Sequence, residues 1–165
     1  MMKNISITIA IFLLLSATSY SAGSSSSNNN DVNKKTDYEK AVSLIDEAKK
    51  LEEKDKQKKA EKQYQKAQKL LIKSNENNPN NADTLNYLGF TTRKLGDFNL
   101  GEKYYLQGLA IKPKHNGINE YLGELYVVTN RMDLAKERLE VLRNCNCEEF
   151  VELKEIIDGT RKSKY

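Results

Sequence analysis

Apolar residues recur along most of the chain at the spacing of three and four positions that covers one face of an α-helix. The first such stripe lies in a highly charged region and consists of Tyr38, Ala41, Val42, Ile45, Ala48 and Leu51. It predicts helices near 37–53 and 57–77, with a turn around Lys54–Lys56. One long helix through the sequence LEEKDKQKKAEKQY is the alternative.

Close to the C-terminus a shorter stripe predicts a last helix over about 148–158. Its apolar positions are Phe150, Leu153, Ile156 and Ile157. We expect this helix to cover the final apolar face of the domain, as terminal elements of stacked repeats do. Residues 159–165 then form a short tail.

The pattern repeats at an interval of 34 positions, which is typical of stacked helical hairpins. The matching positions are Tyr87 and Tyr121, Leu88 and Leu122, Gly89 and Gly123, Leu100 and Leu134, Pro79 and Pro113, and the triplet Ala67, Gly101 and Ala135. In the first hairpin only the second half keeps this register, because Lys62 falls where the turn should be. We therefore expect its turn to be displaced.

These positions resemble the tetratricopeptide repeat (TPR) family. One repeat is matched by Leu85, Leu88, Gly89, Gly101, Tyr105, Gly108 and Pro113, and the next by Leu122, Gly123, Tyr126, Ala135 and Leu139. The chain departs from the family pattern at Thr92, where an aromatic is usual, and at Asn119, where a bulky apolar residue is usual. The resemblance implies an all-α, right-handed solenoid of about three hairpins, near 37–78, 82–113 and 116–144, plus the C-terminal capping helix.

The glycines of this region have two predicted roles. Gly89 and Gly123 are expected where the two helices of a hairpin press together, and the missing side chain allows the backbones to approach. Gly96 is expected to take the left-handed conformation that ends a helix, with Asp97 as the next N-cap. Asn130, 34 positions later, is expected to do the same, since asparagine also tolerates that geometry.

The first residues have the pattern of a secretory signal. Lys3 precedes an apolar run from Ile5 to Leu15, and small residues follow it. We expect cleavage near Ala22, so that residues 1–22 are removed and 23–36, rich in Ser and Asn, form a flexible leader. A permanent anchor is the alternative, but the run is shorter than the roughly 20 residues that span a bilayer. The chain is then exported, in a bacterium to the periplasm, with no stable membrane insertion.

The basic excess of the chain is confined to its first third. Residues Lys34–Lys73 contain thirteen lysines and eight acidic residues, whereas the remainder is balanced. Nucleic acid is one partner that such a segment could attract. Acidic residues are interspersed among the lysines, however, and an exported protein rarely meets nucleic acid. We therefore interpret the segment as a solvated helical face and predict no nucleic-acid partner.

The TPR resemblance also indicates where a partner would bind. In that family the first helices of the hairpins line a concave, solvent-accessible surface that binds peptides. The corresponding residues are Asn86, Phe90 and Arg93 in one repeat and Glu120, Glu124 and Val127 in the next. Since two of them are acidic, we expect a neutral or basic extended segment, or an amphipathic helix, of another protein. A self-assembling structural role, with a homodimer, is an alternative.

Cys145 and Cys147 are the only cysteines, in the sequence RNCNCEEF. In an exported protein they most simply form a disulfide, which would add little stability because it encloses almost no chain. Free thiols, a redox-active pair and a Cu(I) site are the alternatives. The stretch also resembles small exported bacterial TPR proteins in which a cysteine pair precedes EE, an aromatic and a Leu-Lys helix. That likeness implies where the cysteine pair lies, just before the last helix, and it implies no activity.

Catalysis has little support in the sequence. His115 is the lone histidine, and no serine or cysteine has a base at a recognisable spacing. No phosphate-binding glycine loop is present, because packing and turns account for the glycines. We predict that the chain is not an enzyme, has no cofactor and acts as a scaffold for protein interaction. A redox or copper-handling accessory that uses Cys145 and Cys147 is the second hypothesis.

Overall fold

The computed structural model describes residues 35–163, and within them the chain is all-α, as predicted. The helices are α1 (Asp37–Glu52), α2 (Gln57–Asn77), α3 (Ala82–Lys94), α4 (Phe98–Ile111), α5 (Asn116–Val128), α6 (Met132–Leu142) and α7 (Glu148–Ile157). The predicted signal segment and nearly all of the leader lie outside the described residues. Among the described helices, none has the length and apolar character that crossing a membrane requires.

Successive helices pair into hairpins, α1 with α2, α3 with α4 and α5 with α6. The first helices α1, α3 and α5 also contact one another in that order, and α7 packs against α5 and α6. The result is a row of three hairpins closed by one further helix. The right-handed sense of the solenoid stays a prediction.

The three hairpin turns share one backbone conformation. Each contains a residue with positive φ, which is 55° at Asp55, 95° at Gly96 and 61° at Asn130. The predictions for Gly96 and Asn130 are therefore confirmed. In each turn the next N–H donates to the carbonyl five residues back, which satisfies one of the free carbonyls of the helix end. These bonds join Lys56 to Leu51, Asp97 to Thr92 and Arg131 to Tyr126, at 2.9, 3.1 and 2.7 Å.

The first hairpin turns early, so the alternative of one long helix is wrong. Asp55 stands 41 positions before Gly96, seven more than the repeat of 34. Seven residues are close to two helical turns, so the extra length returns the apolar side chains to the same face. As a result α2 has 21 residues against 14 in α4. Ala60, in its extended first part, is buried in the same core as Tyr64.

Gly89 and Gly123 both lie at close contacts, but with different neighbours. A Cβ at Gly89 would lie 2.5 Å from Cε1 of Tyr105, the fully buried aromatic of α4. A Cβ at Gly123 would lie 2.5 Å from Cδ2 of Leu153 on α7. The prediction that Gly123 faces the second helix of its own hairpin is therefore wrong. It makes room for the terminal helix, whose Leu153 is 0% exposed.

Two departures from the TPR pattern are compensated by hydrogen bonds. Thr92 accepts a bond of 2.8 Å from the Gln68 amide on α2. The buried Asn119 amide donates to the carbonyls of Pro113 and His115, at 3.1 and 3.0 Å. A polar side chain at each place is thus satisfied where the family usually has an apolar one.

We expect Gly89→Leu and Gly123→Leu each to lower the free energy of unfolding by about 1–3 kcal/mol, because the added side chain displaces a buried one. Urea denaturation followed by circular dichroism measures the change. Ala110→Leu, at an exposed position of α4, is the control, with an expected effect within about 0.5 kcal/mol. Equal stability of the glycine variants and the control would contradict the close packing.

Candidate functional site

The six predicted binding residues lie on two neighbouring helices. They are Asn86, Phe90 and Arg93 on α3 and Glu120, Glu124 and Val127 on α5. Because α1, α3 and α5 contact one another, these residues share one face of the array, which we name the first-helix face. In the structure all but the half-buried Val127 are buried, whereas we expected a solvent-accessible surface. Their role in partner binding stays a prediction.

Phe90 belongs to an aromatic group on this face. Its ring centroid lies 5.8 Å from that of Tyr64 on α2 and 5.0 Å from that of Tyr121 on α5. The ammonium of Lys49 on α1 lies 4.9 Å from the same centroid, within cation–π distance. Phe90 thus contacts three other helices. Truncating it would change stability as well as any binding.

Arg93 ties α3 to α5. Its Nη1 donates to the carbonyl oxygen of Tyr121 at 2.6 Å, and its Nη2 donates to Glu124 at 3.1 Å. The side chains of Arg93 and Glu124 are 0% and 1% exposed. Each charge compensates the other where water is excluded, so removing one partner alone would be costly. The pair therefore holds two helices of the first-helix face in a defined relative position.

Glu52, at the end of α1, connects three helices. It accepts a hydrogen bond from the Tyr64 hydroxyl of α2 at 3.0 Å, and it pairs with the Lys94 ammonium of α3 at 2.6 Å. Burial, with a further contribution from the Glu52 carboxylate, raises the pKa of the Tyr64 phenol. The phenol therefore remains protonated and able to donate at neutral pH.

A cavity of about 650 Å³ lies beside this contact, and we name it the α1–α3 cavity. The ends of α1 and α3 and the starts of α2 and α4 form its walls. Its lining residues are Lys49, Glu52, Glu53, Gln57, Arg93, Lys94, Gly96 and Phe98. The volume lies within the range of about 300–1,000 Å³ that is usual for ligand pockets. Charged groups of both signs line it.

Asn86 carries a buried acceptor that is not satisfied within the described residues. Its Oδ1 has no hydrogen-bond partner there, and the residue is 7% exposed. An acceptor buried without a partner costs free energy relative to one in water. The oxygen atom itself is buried, so a guest at the surface does not reach it.

The lone histidine has a structural role. His115 is the N-cap of α5, and its Nδ1 accepts from the Ile118 N–H at 3.2 Å. The other ring nitrogen lies 2.8 Å from Asp83 of α3. Because Nδ1 accepts, the proton of the neutral ring is on Nε2, which donates to the carboxylate. The hairpin bounds predicted from the sequence, near 82–113 and 116–144, leave this residue in the connection between them. The short gap between Pro113 and α5 was the one signal for a cap.

Cys145 and Cys147 form a disulfide between α6 and α7, with a Cα–Cα distance of 5.2 Å. Cys147 is also the N-cap of α7, and it makes no side-chain capping bond. The described part of the chain contains no group of three His, Cys, Asp or Glu residues able to hold a metal ion. With both sulfurs bonded to each other, a thiolate site for Cu(I) would first require reduction.

We expect His115→Ala to lower the free energy of unfolding by about 1–2 kcal/mol, because α5 loses its cap. His115→Asn should restore most of this loss, since asparagine is among the best N-cap residues. Urea denaturation of the two variants measures both effects. Equal destabilisation would show that the contact with Asp83, and not the cap, is what stabilises α5.

We expect the double variant Cys145→Ser, Cys147→Ser to change the free energy of unfolding by less than about 1 kcal/mol. The disulfide encloses a single residue and restricts the unfolded chain very little. Thermal denaturation of the variant, and of the wild type with and without a reductant, checks this. A loss of several kcal/mol in the variant would contradict it.

Comparison with known proteins gives matches among solved structures only. No family model matches the chain, and no curated protein matches it. The chain is similar to the first TPR of Spaghetti (RPAP3), bound to the HSP90 peptide SRMEEVD, with 20% identity over 76% of this chain and 96% of that one and a TM-score of 0.48. It is also similar to the Arabidopsis OM64 TPR domain, with 15% identity over 76% and 99% and a TM-score of 0.47.

Proposed function

We propose that the chain is a protein-interaction module that binds an extended segment or a helix of a partner on the first-helix face, with the α1–α3 cavity as the point of entry. The observation that carries this proposal is the cavity itself, which opens beside Arg93 at one end of the face. A concave site that is largely preformed limits the entropy lost on binding.

The walls of the cavity are held by contacts between helices. Glu52 links α1 to α2 and α3, and Arg93 links α3 to α5. A partner would therefore meet a surface whose geometry does not depend on the mobility of single side chains.

The charges of the cavity favour a guest of low net charge. Lys49, Arg93 and Lys94 are basic, whereas Glu52 and Glu53 are acidic. Two of the basic groups already pair with carboxylates, Lys94 with Glu52 and Arg93 with Glu124. A strongly acidic or strongly basic segment would gain little there, and a segment without net charge fits best.

We further propose that the module acts after export, since residues 1–22 have the pattern of a secretory signal.

A redox role is the second candidate, and the Cys145–Cys147 disulfide is the observation that favours it. Both cysteines are partly exposed, so a partner thiolate has access to them. Titration of thiols in protein purified from its own compartment distinguishes the two roles. A pair that stays oxidised under that compartment's conditions argues for a purely structural disulfide.

The proposed function predicts that narrowing the cavity abolishes partner capture. Glu53→Trp with Gln57→Trp changes two exposed residues that line it. Affinity capture from the exported fraction should recover a partner with the wild type and about tenfold less of it with this variant. The physical reason is steric, because the two indoles occupy space that the guest needs.

The matched control is Glu47→Trp with Gln65→Trp. It makes the same two substitutions at exposed positions of α1 and α2 that do not line the cavity. We expect it to retain the partner as the wild type does. Equal recovery with the cavity variant and the wild type would contradict the location of the site.

A further inference from the structure

The outer face of α2 carries a continuous row of exposed lysines. They are Lys58, Lys59, Lys62, Lys66, Lys69 and Lys73, and we name them the α2 lysine stripe. At 100° per residue they all fall opposite the buried face of the helix, which contains Ala60, Tyr64, Ala67 and Leu71. From the first to the last, the stripe is about 22 Å long at 1.5 Å per residue.

Most acidic residues of this region are not on the stripe; the exception is Glu76, near the end of α2, which falls on the same face as the lysines. Because acids are interspersed with lysines along the chain, the sequence predicts a mixed, solvated face for this segment. In the structure those acids divide between α1, the turn and Glu61, which lies to one side of α2. Within residues 35–163, Lys73 alone among the six has an ion pair, with Asp37 at 2.8 Å. Most acidic residues that are interspersed with these lysines along the sequence are therefore separated from them in space.

The second helices of the other two hairpins, α4 and α6, carry no such row of lysines. α4 contains one lysine, Lys103, and one acid, Glu102, which pairs with Arg131. α6 carries two basic and three acidic residues. The positive charge is therefore a property of one helix and not of the whole array.

We propose that the α2 lysine stripe binds the anionic headgroups of a phospholipid bilayer. A straight row of ammonium groups on the outside of a helix can touch a plane along its whole length. Clusters of four to eight basic residues on a helix are attracted to anionic lipids by charge. Ile72, which is 41% exposed, lies beside the row and can enter the headgroup layer.

The residue types of the stripe favour lipid over nucleic acid. Every basic residue is a lysine, and the row lacks the arginine that contacts base edges and stacks on them. It also lacks an aromatic on which an unpaired base could stack, because Tyr64 points into the core. The predicted export of the chain places it beside membranes. The experiment must therefore exclude binding of the stripe to nucleic acid.

Binding through the stripe leaves the α1–α3 cavity accessible. The buried side of α2 packs on α1 and α3, so the stripe points away from them and from the α1–α3 cavity. A module held at a lipid surface in this way still presents its cavity to a partner. This inference does not depend on the proposed partner site.

The experiment measures binding of the full-length chain to vesicles of phosphatidylcholine alone and of phosphatidylcholine with about 30% phosphatidylglycerol. Binding to neutral vesicles measures the contribution of apolar residues. The difference in affinity between the two vesicle types measures the electrostatic contribution. We expect at least about tenfold tighter binding to the anionic vesicles in about 0.1 M NaCl, and loss of the difference in about 0.5 M NaCl.

The variant Lys62→Gln, Lys66→Gln, Lys69→Gln removes the centre of the stripe, where no ion pair is broken. We expect it to lose about tenfold of the anionic preference. The matched variant Lys103→Gln, Lys114→Gln, Lys136→Gln removes the same charge from exposed lysines elsewhere and should lose less than about threefold. Circular dichroism verifies that both variants fold.

Two results would overturn the proposal. Equal losses in the two triple variants would show that net charge, and not the stripe, causes the attraction. Binding to duplex DNA that requires the stripe, together with vesicle binding that does not, would assign the stripe to nucleic acid.

Discussion

The contact between the α3 backbone at Gly89 and the ring of Tyr105 sets the geometry of the middle hairpin. Tyr105 is 0% exposed, and its ring lies where any side chain at position 89 would be. The same ring lies 5.9 Å from the guanidinium carbon of Arg93, which reaches across to Tyr121 and Glu124 on α5. The distance between α3 and α4 thereby determines where Arg93 lies. Packing inside one hairpin is thus transmitted to the first-helix face.

Features that depend on a single residue were predictable from the sequence. A left-handed turn residue is one of these, because glycine and asparagine adopt positive φ at low cost whatever their neighbours. Gly96 and Asn130 were found in this way. Asp55 takes the same conformation but was less visible, since its turn comes seven residues early in the repeat. The first stripe nevertheless predicted a turn around Lys54–Lys56, and Asp55 lies in it.

Features that depend on two distant segments were not predictable. The neighbour of Gly123 is Leu153 on α7, and nothing local distinguishes that contact from one with α6. His115 is an unusual cap, and its second partner, Asp83, is 32 residues away. The separation of most acids from the lysines of α2 was overlooked for a different reason, since the turn was predicted at Lys54–Lys56 but the segment was still interpreted as one mixed face. Once the turn lies at Asp55, the residues before it belong to a different helix, and the charges divide accordingly.

The two candidate surfaces differ in the solvent exposure of their charged side chains. On the first-helix face, Arg93 and Glu124 are paired out of contact with solvent, and the Lys94 side chain next to Glu52 is only 8% exposed. Such charges are weakly screened by salt, and they fix geometry more than they attract. The stripe on α2 is solvated, so its attraction acts at a distance and falls as ions are added. The proposed partner site would therefore select its guest by shape, whereas the proposed lipid site would attract its ligand by charge. Because the two depend differently on ionic strength, salt alone separates their contributions without any substitution.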